Sequence, residues 1–436
     1  MSQYTALTAR ADGDLDPTFG DDKDGKKILR FLDARDTSGE CIVEGPDGNI
    51  YVGGAVDADG DDIIHKLGIA CLHKDGTPNV DFGNKGYVIV RFGPMQDTHL
   101  RQILFVTVGG ETRILLSGID TKKGEVVLAR LHLDGRVDER FGVKGLLTVK
   151  LPANLSESLG LGSTPLTTTS SGASGPCTVA EGKIYVVMEM YMPIWIARVA
   201  LLIRLNPDGS YDTGFNKSGY VAVTNQHWGN STISDILVRN GKITVCGTLA
   251  GHGMVARVNE DGSFDQIFAD KGFKVFDNLG VAFEKLTPYS DKSVLVAGWG
   301  LTPRHGVLAC LTENGEFEST FNNAKVLLQS LGEGVMFFGV GLVDGKIIAS
   351  GRFWQEDNTP EFVVVRYLIN GKLDTDFGRG KGWSSTRFEN HSTVANTMTL
   401  QKDGQVLVLG DWGSGVSYAA LIARFLNTTP SVAATA

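Results

Sequence analysis

Residues 203–219 read IRLNPDGSYDTGFNKSG, and the fold turns on this stretch. An apolar run ends at Asp-Gly, and an acidic residue (Asp212), a phenylalanine (Phe215) and a glycine follow in order. Asp-Gly between apolar runs is tight-turn chemistry, because glycine reaches positive φ without penalty. The pattern recurs as ARLHLDGRVDERFGVKG (129–145), ARVNEDGSFDQIFADKG (256–272) and VRYLINGKLDTDFGRGKG (365–382). Looser copies are ACLHKDGTPNVDFGNKG (70–86) and ACLTENGEFESTFNNAK (309–325). Residues 11–25, ADGDLDPTFGDDKDG, hold only the back half, and residues 420–427, ALIARFLN, only the front half. The marker phenylalanines are Phe19, Phe82, Phe141, Phe215, Phe268, Phe321 and Phe377, spaced 53 to 74 residues apart.

A second element, a turn followed by a short β-branched run and often a glycine, also occurs seven times. Its copies are DGNIYVGG (47–54), ETRILLSG (111–118), EGKIYVVM (181–188), NGKITVCG (240–247), DKSVLVAG (291–298), DGKIIASG (344–351) and DGQVLVLG (403–410). Each unit then reads as four short strands: A after a polar loop, B on this element, C on the "ARL" run and D after the Phe-Gly turn. No segment sustains a 3.6-residue apolar period, so helix should be nearly absent. With 55 glycines and only 13 prolines in 436 residues, the composition suits many tight turns. Seven such units predict an all-β fold: one seven-bladed β-propeller over residues 1–436, which removes open sheet edges by radial repetition. The ragged ends predict how the ring closes. Blade 7 takes strands A to C from about 392–427 and strand D from about 26–32.

Arginine in the C strand is followed eight residues later by aspartate at Arg130/Asp138, Arg204/Asp212, Arg257/Asp265 and Arg366/Asp374. Where cysteine replaces the arginine the aspartate changes too, as Cys71/Asn79 and Cys310/Glu318. A half-buried ion pair explains the joint change, since either partner alone would be an uncompensated charge. The seventh pair, Arg424 with Asp16, forms only on closure. RLNPDGSYDTGFNKSGYV (204–221) and RLHLDGRVDERFGVKGLL (130–147) resemble the bacterial delta-60 repeat family over essentially the whole chain. That resemblance implies a propeller-like repeat protein and carries no common chemistry. One departure is the Ser/Thr/Gly-rich insertion at 151–177, a loop insertion ahead of blade 3.

With 41 basic and 50 acidic side chains the net charge is −9, which argues against nucleic-acid binding. The start of the chain has no signal-peptide pattern, so a cytoplasmic location is expected, with non-classical export left open. The most apolar stretch, 184–203, contains Glu189, Pro193 and Arg198 and reads as strand–loop–strand rather than a membrane span. The five cysteines, Cys41, Cys71, Cys177, Cys246 and Cys310, lack CxxC spacing and read as buried thiols. A monomer is expected.

Strand order places the D–A and B–C loops on one face, and these vary in length, whereas the opposite turns are uniform. Variable loops on a fixed scaffold are where binding resides. The varied face holds Trp195, Trp228, Trp299, Trp354 and Trp412, and His65, His99, His227, His252, His305 and His391. Trp299, Trp354 and Trp412 start the B–C loops of three adjacent blades and should lie on one arc, either stacking a ligand or sealing the gaps between blades. His99, His227 and His391 precede A strands near the axis, but they are out of register with one another and no HExxH accompanies them. No metal and no cofactor is therefore assigned. VDADGDDIIHK (56–66) lacks the spaced ligands of a calcium loop. GxSxG and phosphate-loop motifs are absent. The reading is a non-catalytic scaffold that presents Trp195, Trp228, Trp299, Trp354, Trp412, His99, His227, His391 and Asp97 to a protein or glycan. The alternative is a lyase or hydrolase at an axial pocket, using His99, His227 or His391 with Asp97. The identity of the ligand is not legible in these residues.

Overall fold

Strand D of the last blade comes from the other end of the chain: Lys26–Leu29 pairs antiparallel with Tyr418–Phe425. The computed structural model describes residues 10–32, 34–57, 64–93, 95–152, 155–158, 166–168, 175–192, 197–224, 229–388, 393–413 and 418–427. Seven antiparallel sheets of the A-B-C-D order form a seven-bladed β-propeller. Blade 1 holds Cys41–Glu44, Ile50–Val56, Lys66–Leu72 and Tyr87–Val90, and blade 2 Thr98–Val108, Glu111–Asp120, Glu125–His132 and Leu146–Val149. Blade 3 holds Cys177–Ala180, Lys183–Met192, Ala197–Leu205 and Tyr220–Val223, with Thr167–Thr168 added beside its B strand. Blade 4 holds Ser231–Arg239, Lys242–Leu249, His252–Asn259 and Phe273–Phe276, and blade 5 Val281–Pro288, Val294–Leu301, Arg304–Leu311 and Leu327–Gln329. Blade 6 holds Gly334–Val343, Lys346–Trp354, Pro360–Leu368 and Trp383–Thr386, and blade 7 Thr393–Leu400, Val406–Gly413 and Tyr418–Phe425 before Lys26–Leu29. The helix described is the single turn Leu155–Ser158, inside the 151–177 insertion, most of which lies outside the described residues. The apolar stretch at 184–203 is two paired strands, and no helix among the described residues is long and apolar enough to cross a membrane. All five cysteines are free and buried.

The core is divided by junction. Seven buried clusters each join the facing sides of consecutive blades, including blade 7 to blade 1 through Phe19, Leu29, Ile42, Val52, Leu409 and Ile422. The seven marker phenylalanines are each at most 1% exposed. Beside them sit the paired charges: Arg130–Asp138, Arg204–Asp212, Arg257–Asp265 and Arg366–Asp374 at 2.8 Å, and Arg424–Asp16 at 2.7 Å. Each of these guanidinium groups also lies 4.6–5.6 Å from the centre of its blade's phenylalanine ring, where cation–π attraction adds to the pair. Burial works against the charge on Asp138, Asp212, Asp265 and Asp374, but their cations and backbone donors hold all four below the usual carboxylate range.

Most of these aspartates face a second cation from the B strand: Lys183 on Asp212 at 2.9 Å, Lys242 on Asp265 at 3.0 Å and Lys346 on Asp374 at 2.9 Å. In blade 5 that position is Ser293, whose hydroxyl donates to Glu318 at 2.7 Å. In blade 1, Asn79 Nδ2 lies 3.7 Å from Cys71 Sγ. The pair therefore changes as part of a three-residue set.

Two predictions follow from this packing. Asp265→Ala leaves Arg257 buried without its carboxylate and should destabilise by about 3 kcal/mol, with Arg257→Met/Asp265→Asn recovering much of the loss. Urea unfolding of the three proteins reads the difference; a single variant as stable as wild type contradicts a structural role for the pair. Deleting residues 1–33 removes the strand that covers Tyr418–Phe425 together with Asp16, and an apolar open edge invites aggregation. That truncation should aggregate or lose cooperative melting, and a soluble product melting within a few degrees of wild type would contradict closure through this strand.

Candidate functional site

At six of the seven blades the B strand carries, two or three residues before its end, a glycine facing an irregularity in strand A. Register slips by one residue at Arg101, Ser234, Glu284, Phe338 and Asn396. Glu40 occupies the corresponding place in blade 1, beside Gly54. The reason is steric: a Cβ on Gly351 would collide with the Met336 carbonyl, and Gly247, Gly298 and Gly410 meet the same obstacle from Thr232, Ala282 and Val394. Blade 3 has Met188 at this position, and its short A strand pairs without a slip.

A β-bulge frees one side chain from the ladder and re-aims it. The bulge residues and their neighbours gather at the ring axis. There a cavity of about 240 Å³ is lined by Glu40, Arg101, Lys285, Asn396 and Met398, from blades 1, 2, 5 and 7. Arg101 Nη1 donates to Glu40 Oε2 at 2.6 Å. Burial opposes ionisation of Glu40, but His99 and Arg101 hold its carboxyl below the ordinary value. Trp299 Nε1 donates to Glu284 Oε1 at 2.8 Å, and burial nevertheless pushes the Glu284 carboxyl up. Asp411 accepts from the Gly39 amide and, at 2.8 Å, from Asn396 Nδ2. Burial, reinforced by the nearby Glu40 charge, pushes Asp411 up to about 7. Arg352 donates to Asn396 Oδ1 at 3.2 Å and stacks 4.4 Å from the Phe338 ring. The axis thus mixes one carboxyl held below its ordinary value, two pushed above theirs, and cations fixed by hydrogen bonds.

The expected site residues fall into three groups. Trp195, Trp228, His227 and His391 lie outside the described residues. Trp299, Trp354 and Trp412 are each half-buried, and they stand one, three and two residues past the glycines Gly298, Gly351 and Gly410. Trp299 turns to Glu284, Trp354 carries Arg304 at 4.7 Å, and Trp412 carries Arg30 at 5.6 Å; no ring contact joins the three among the described residues. Asp97 and His99 do come together, with His65 as a third member. Asp97 Oδ1 lies 3.0 Å from His65 Nδ1 and 3.8 Å from His99 Nε2. Burial works against the Asp97 charge, but Thr121 and His65 donate to it and keep its carboxyl low.

Glu40, Arg101, Glu284, Asn396 and Asp411 were not legible as a group. Their sequence signal was the glycine near the end of six of the B strands, which marks a bulge opposite.

The chain matches the model of a family described as a beta-propeller domain of unknown function, DUF5122, over residues 197–215, 290–321 and 344–377. No curated protein matches it in sequence. Among solved structures it is similar to a puromycin hydrolase at 12% identity and TM-score 0.44, covering 93% of this chain and 57% of that one. It is also similar to a protein of unknown function from Dyadobacter fermentans, at 10% identity and TM-score 0.44, covering 92% and 97%. A third is an alpha-L-arabinofuranosidase from Fusarium graminearum, at 12% identity and TM-score 0.40, covering 96% and 98%. Likenesses at this level carry no activity to this chain.

The raised Asp411 has a consequence for stability. An aspartate in the unfolded chain titrates near 3.9, so the folded protein binds this proton more tightly, and Asp411 draws stability down as pH rises from about 4 to about 7. Asp411→Asn should therefore gain stability relative to wild type at pH 8 compared with pH 5. Urea unfolding at the two pH values measures it, and an equal difference at both would refute the shifted titration.

Proposed function

We propose that this protein is a binding scaffold that takes the terminal unit of an oligosaccharide at the axial mouth, on the face of the D–A and B–C loops. The observation that supports it is a contrast within the repeat. Seam positions keep Phe and Gly in all seven blades and Arg with Asp in five, whereas the bulge position carries Glu40, Arg101, Ser234, Glu284, Phe338 and Asn396 in its six occurrences. If that position served only the fold, one residue type would suffice in every blade.

The chemistry suits a polyhydroxylated ligand. Carboxylate, guanidinium and amide groups offer paired hydrogen bonds to vicinal hydroxyls, and the half-buried indole of Trp299 offers an apolar plane beside them. A cavity of about 240 Å³ is small for a ligand site, which favours one sugar residue of a longer chain over an engulfed molecule. Net charge of −9 makes an anionic polymer a poor candidate.

Screening the full chain on a glycan array and titrating the best ligand by calorimetry tests this reading. Trp299→Ala and Glu284→Gln should each weaken binding by tenfold or more, a loss typical of central contact residues, and the Trp299→Ala/Trp354→Ala/Trp412→Ala variant at least as much. Binding unchanged in all three variants would remove the site from this face. Cleavage of the bound glycan in the same assay would replace the scaffold reading with the enzymatic one.

A further inference from the structure

We infer that His65, Asp97 and His99 form a binding site for a divalent transition-metal ion, zinc by preference, at the junction of blades 1 and 2. The site stands on its own geometry and does not depend on the glycan reading. The three residues come from two pieces of chain: His65 just precedes the C strand of blade 1, while Asp97 just precedes the A strand of blade 2 and His99 lies within it. One ligand atom from each lies within 4.8 Å of the other two.

The distances fit a metal better than a hydrogen-bonded cluster alone. Bonds of about 2.0–2.1 Å at tetrahedral angles separate donor atoms by roughly 3.3 Å. The two Asp97 separations, 3.0 Å to His65 Nδ1 and 3.8 Å to His99 Nε2, bracket that value. The imidazole rings stand 5.0 Å apart between centroids at 60°, so both present ring edges toward the carboxylate rather than stacking face to face.

The surroundings already orient the donors. Glu40 Oε1 lies 3.7 Å from His99 Nδ1, so a proton held on that nitrogen leaves Nε2 with its lone pair toward Asp97. Glu40 is in turn pinned by Arg101 at 2.6 Å. A carboxylate beside the far ring nitrogen is the placement that supports metal-binding imidazoles, and at 3.7 Å it acts on His99 as a nearby charge. On Asp97, Oδ2 is occupied by the Thr121 hydroxyl, while Oδ1 accepts the His65 amide at 2.7 Å and keeps a lone pair for a cation. The side chains are 28%, 13% and 23% exposed, so an ion can enter and exchange.

Two imidazoles and one carboxylate suit zinc or its neighbours rather than calcium or magnesium, which prefer all-oxygen shells. Three protein donors leave a fourth position open to water or to an incoming ligand atom. Sequence reading had considered His99 with His227 and His391, in separate blades; the partner for His99 is instead the histidine that ends the preceding B–C loop.

The test uses the full chain, stripped with chelator and titrated with Co²⁺ and then Zn²⁺. Co²⁺ should produce the intense visible absorption of a four-coordinate site with nitrogen ligands at one equivalent, and Zn²⁺ should displace it. Zn²⁺ should also raise the melting temperature in a concentration-dependent way, as any ligand of the folded state does. His99→Ala and His65→Ala should each lose at least tenfold in Zn²⁺ affinity, and Glu40→Gln, which removes only the supporting carboxylate, about tenfold. Absence of the Co²⁺ band in the wild-type protein overturns the proposal. So does a band of undiminished intensity in both histidine variants, which would place the ion elsewhere. If either variant misfolds, the wild-type spectrum and its loss in the folded variant decide the matter.

Discussion

The structure depends on one contact that no blade can make alone. At six of the seven blade junctions, the residue after the marker phenylalanine donates its amide to the carbonyl just before the glycine of the next blade's turn. Gly83 reaches Asp134 at 2.9 Å, Asn216 reaches Asp261 at 2.6 Å, Ala269 reaches Asn314 at 2.8 Å and Asn322 reaches Asn370 at 3.0 Å. The same bond closes the ring in both directions across the termini, from Gly378 to Asp12 at 2.9 Å and from Gly20 to Asp75 at 3.0 Å. Two backbones this close leave no room for a side chain: a Cβ on Gly262, at φ +89°, would stand 2.6 Å from the Asn216 nitrogen. Turn glycine and marker phenylalanine therefore serve one another across a blade boundary, although the chain places them in the same motif.

The arginines extend this seam. Arg130 donates to the Pro207 carbonyl at 3.1 Å, Arg204 to the Glu260 carbonyl at 2.6 Å and Arg366 to Asp12 Oδ2 at 2.5 Å, each in the following blade. A guanidinium can do this because its fork offers five donors, some for the aspartate of its own blade and others for the neighbour. Cysteine in blades 1 and 5 gives up that bridge, and the amide-to-carbonyl bond persists there without it. The backbone contact thus recurs at six of the seven junctions and the ion pair in five of the seven blades, with Arg130 bridging to Pro207 at the junction of blades 2 and 3.

Legibility in the sequence followed the same division. The Arg–Asp spacing, the Phe-Gly turn and the ragged ends were readable because each is repeated, and Arg424 with Asp16 joins 408 residues apart in sequence as the repeat requires. The B-strand partner of the aspartate or glutamate went unread, although Lys183, Lys242 and Lys346 recur in the B element, with Arg113 in blade 2 and Ser293 in blade 5. The axial group was hidden for a different reason. Glu40, Arg101, Glu284 and Asn396 are not one repeated residue type, and it is the slip in strand pairing that aligns them. Asp97 and His99 were singled out, but His65 was not tied to them, because that contact crosses from one blade to the next.

A bulge explains why diversity could collect at the axis and not at the seam. Along a paired strand the pleat dictates which face each side chain takes, and a one-residue change of register turns the whole set over. The extra residue of a bulge escapes that rule. Its side chain leaves the ladder without disturbing the alternation on either side, so glutamate, arginine, serine, phenylalanine and asparagine all fit the same backbone. The glycine opposite bears the steric demand instead, and it is the invariant member of the pair in six blades. Blade 3 differs in having Met188 in place of the glycine, and its described A strand, Cys177–Ala180, pairs without a slip. Variation is confined to the one place where the fold does not constrain it, and that place faces the axial cavity.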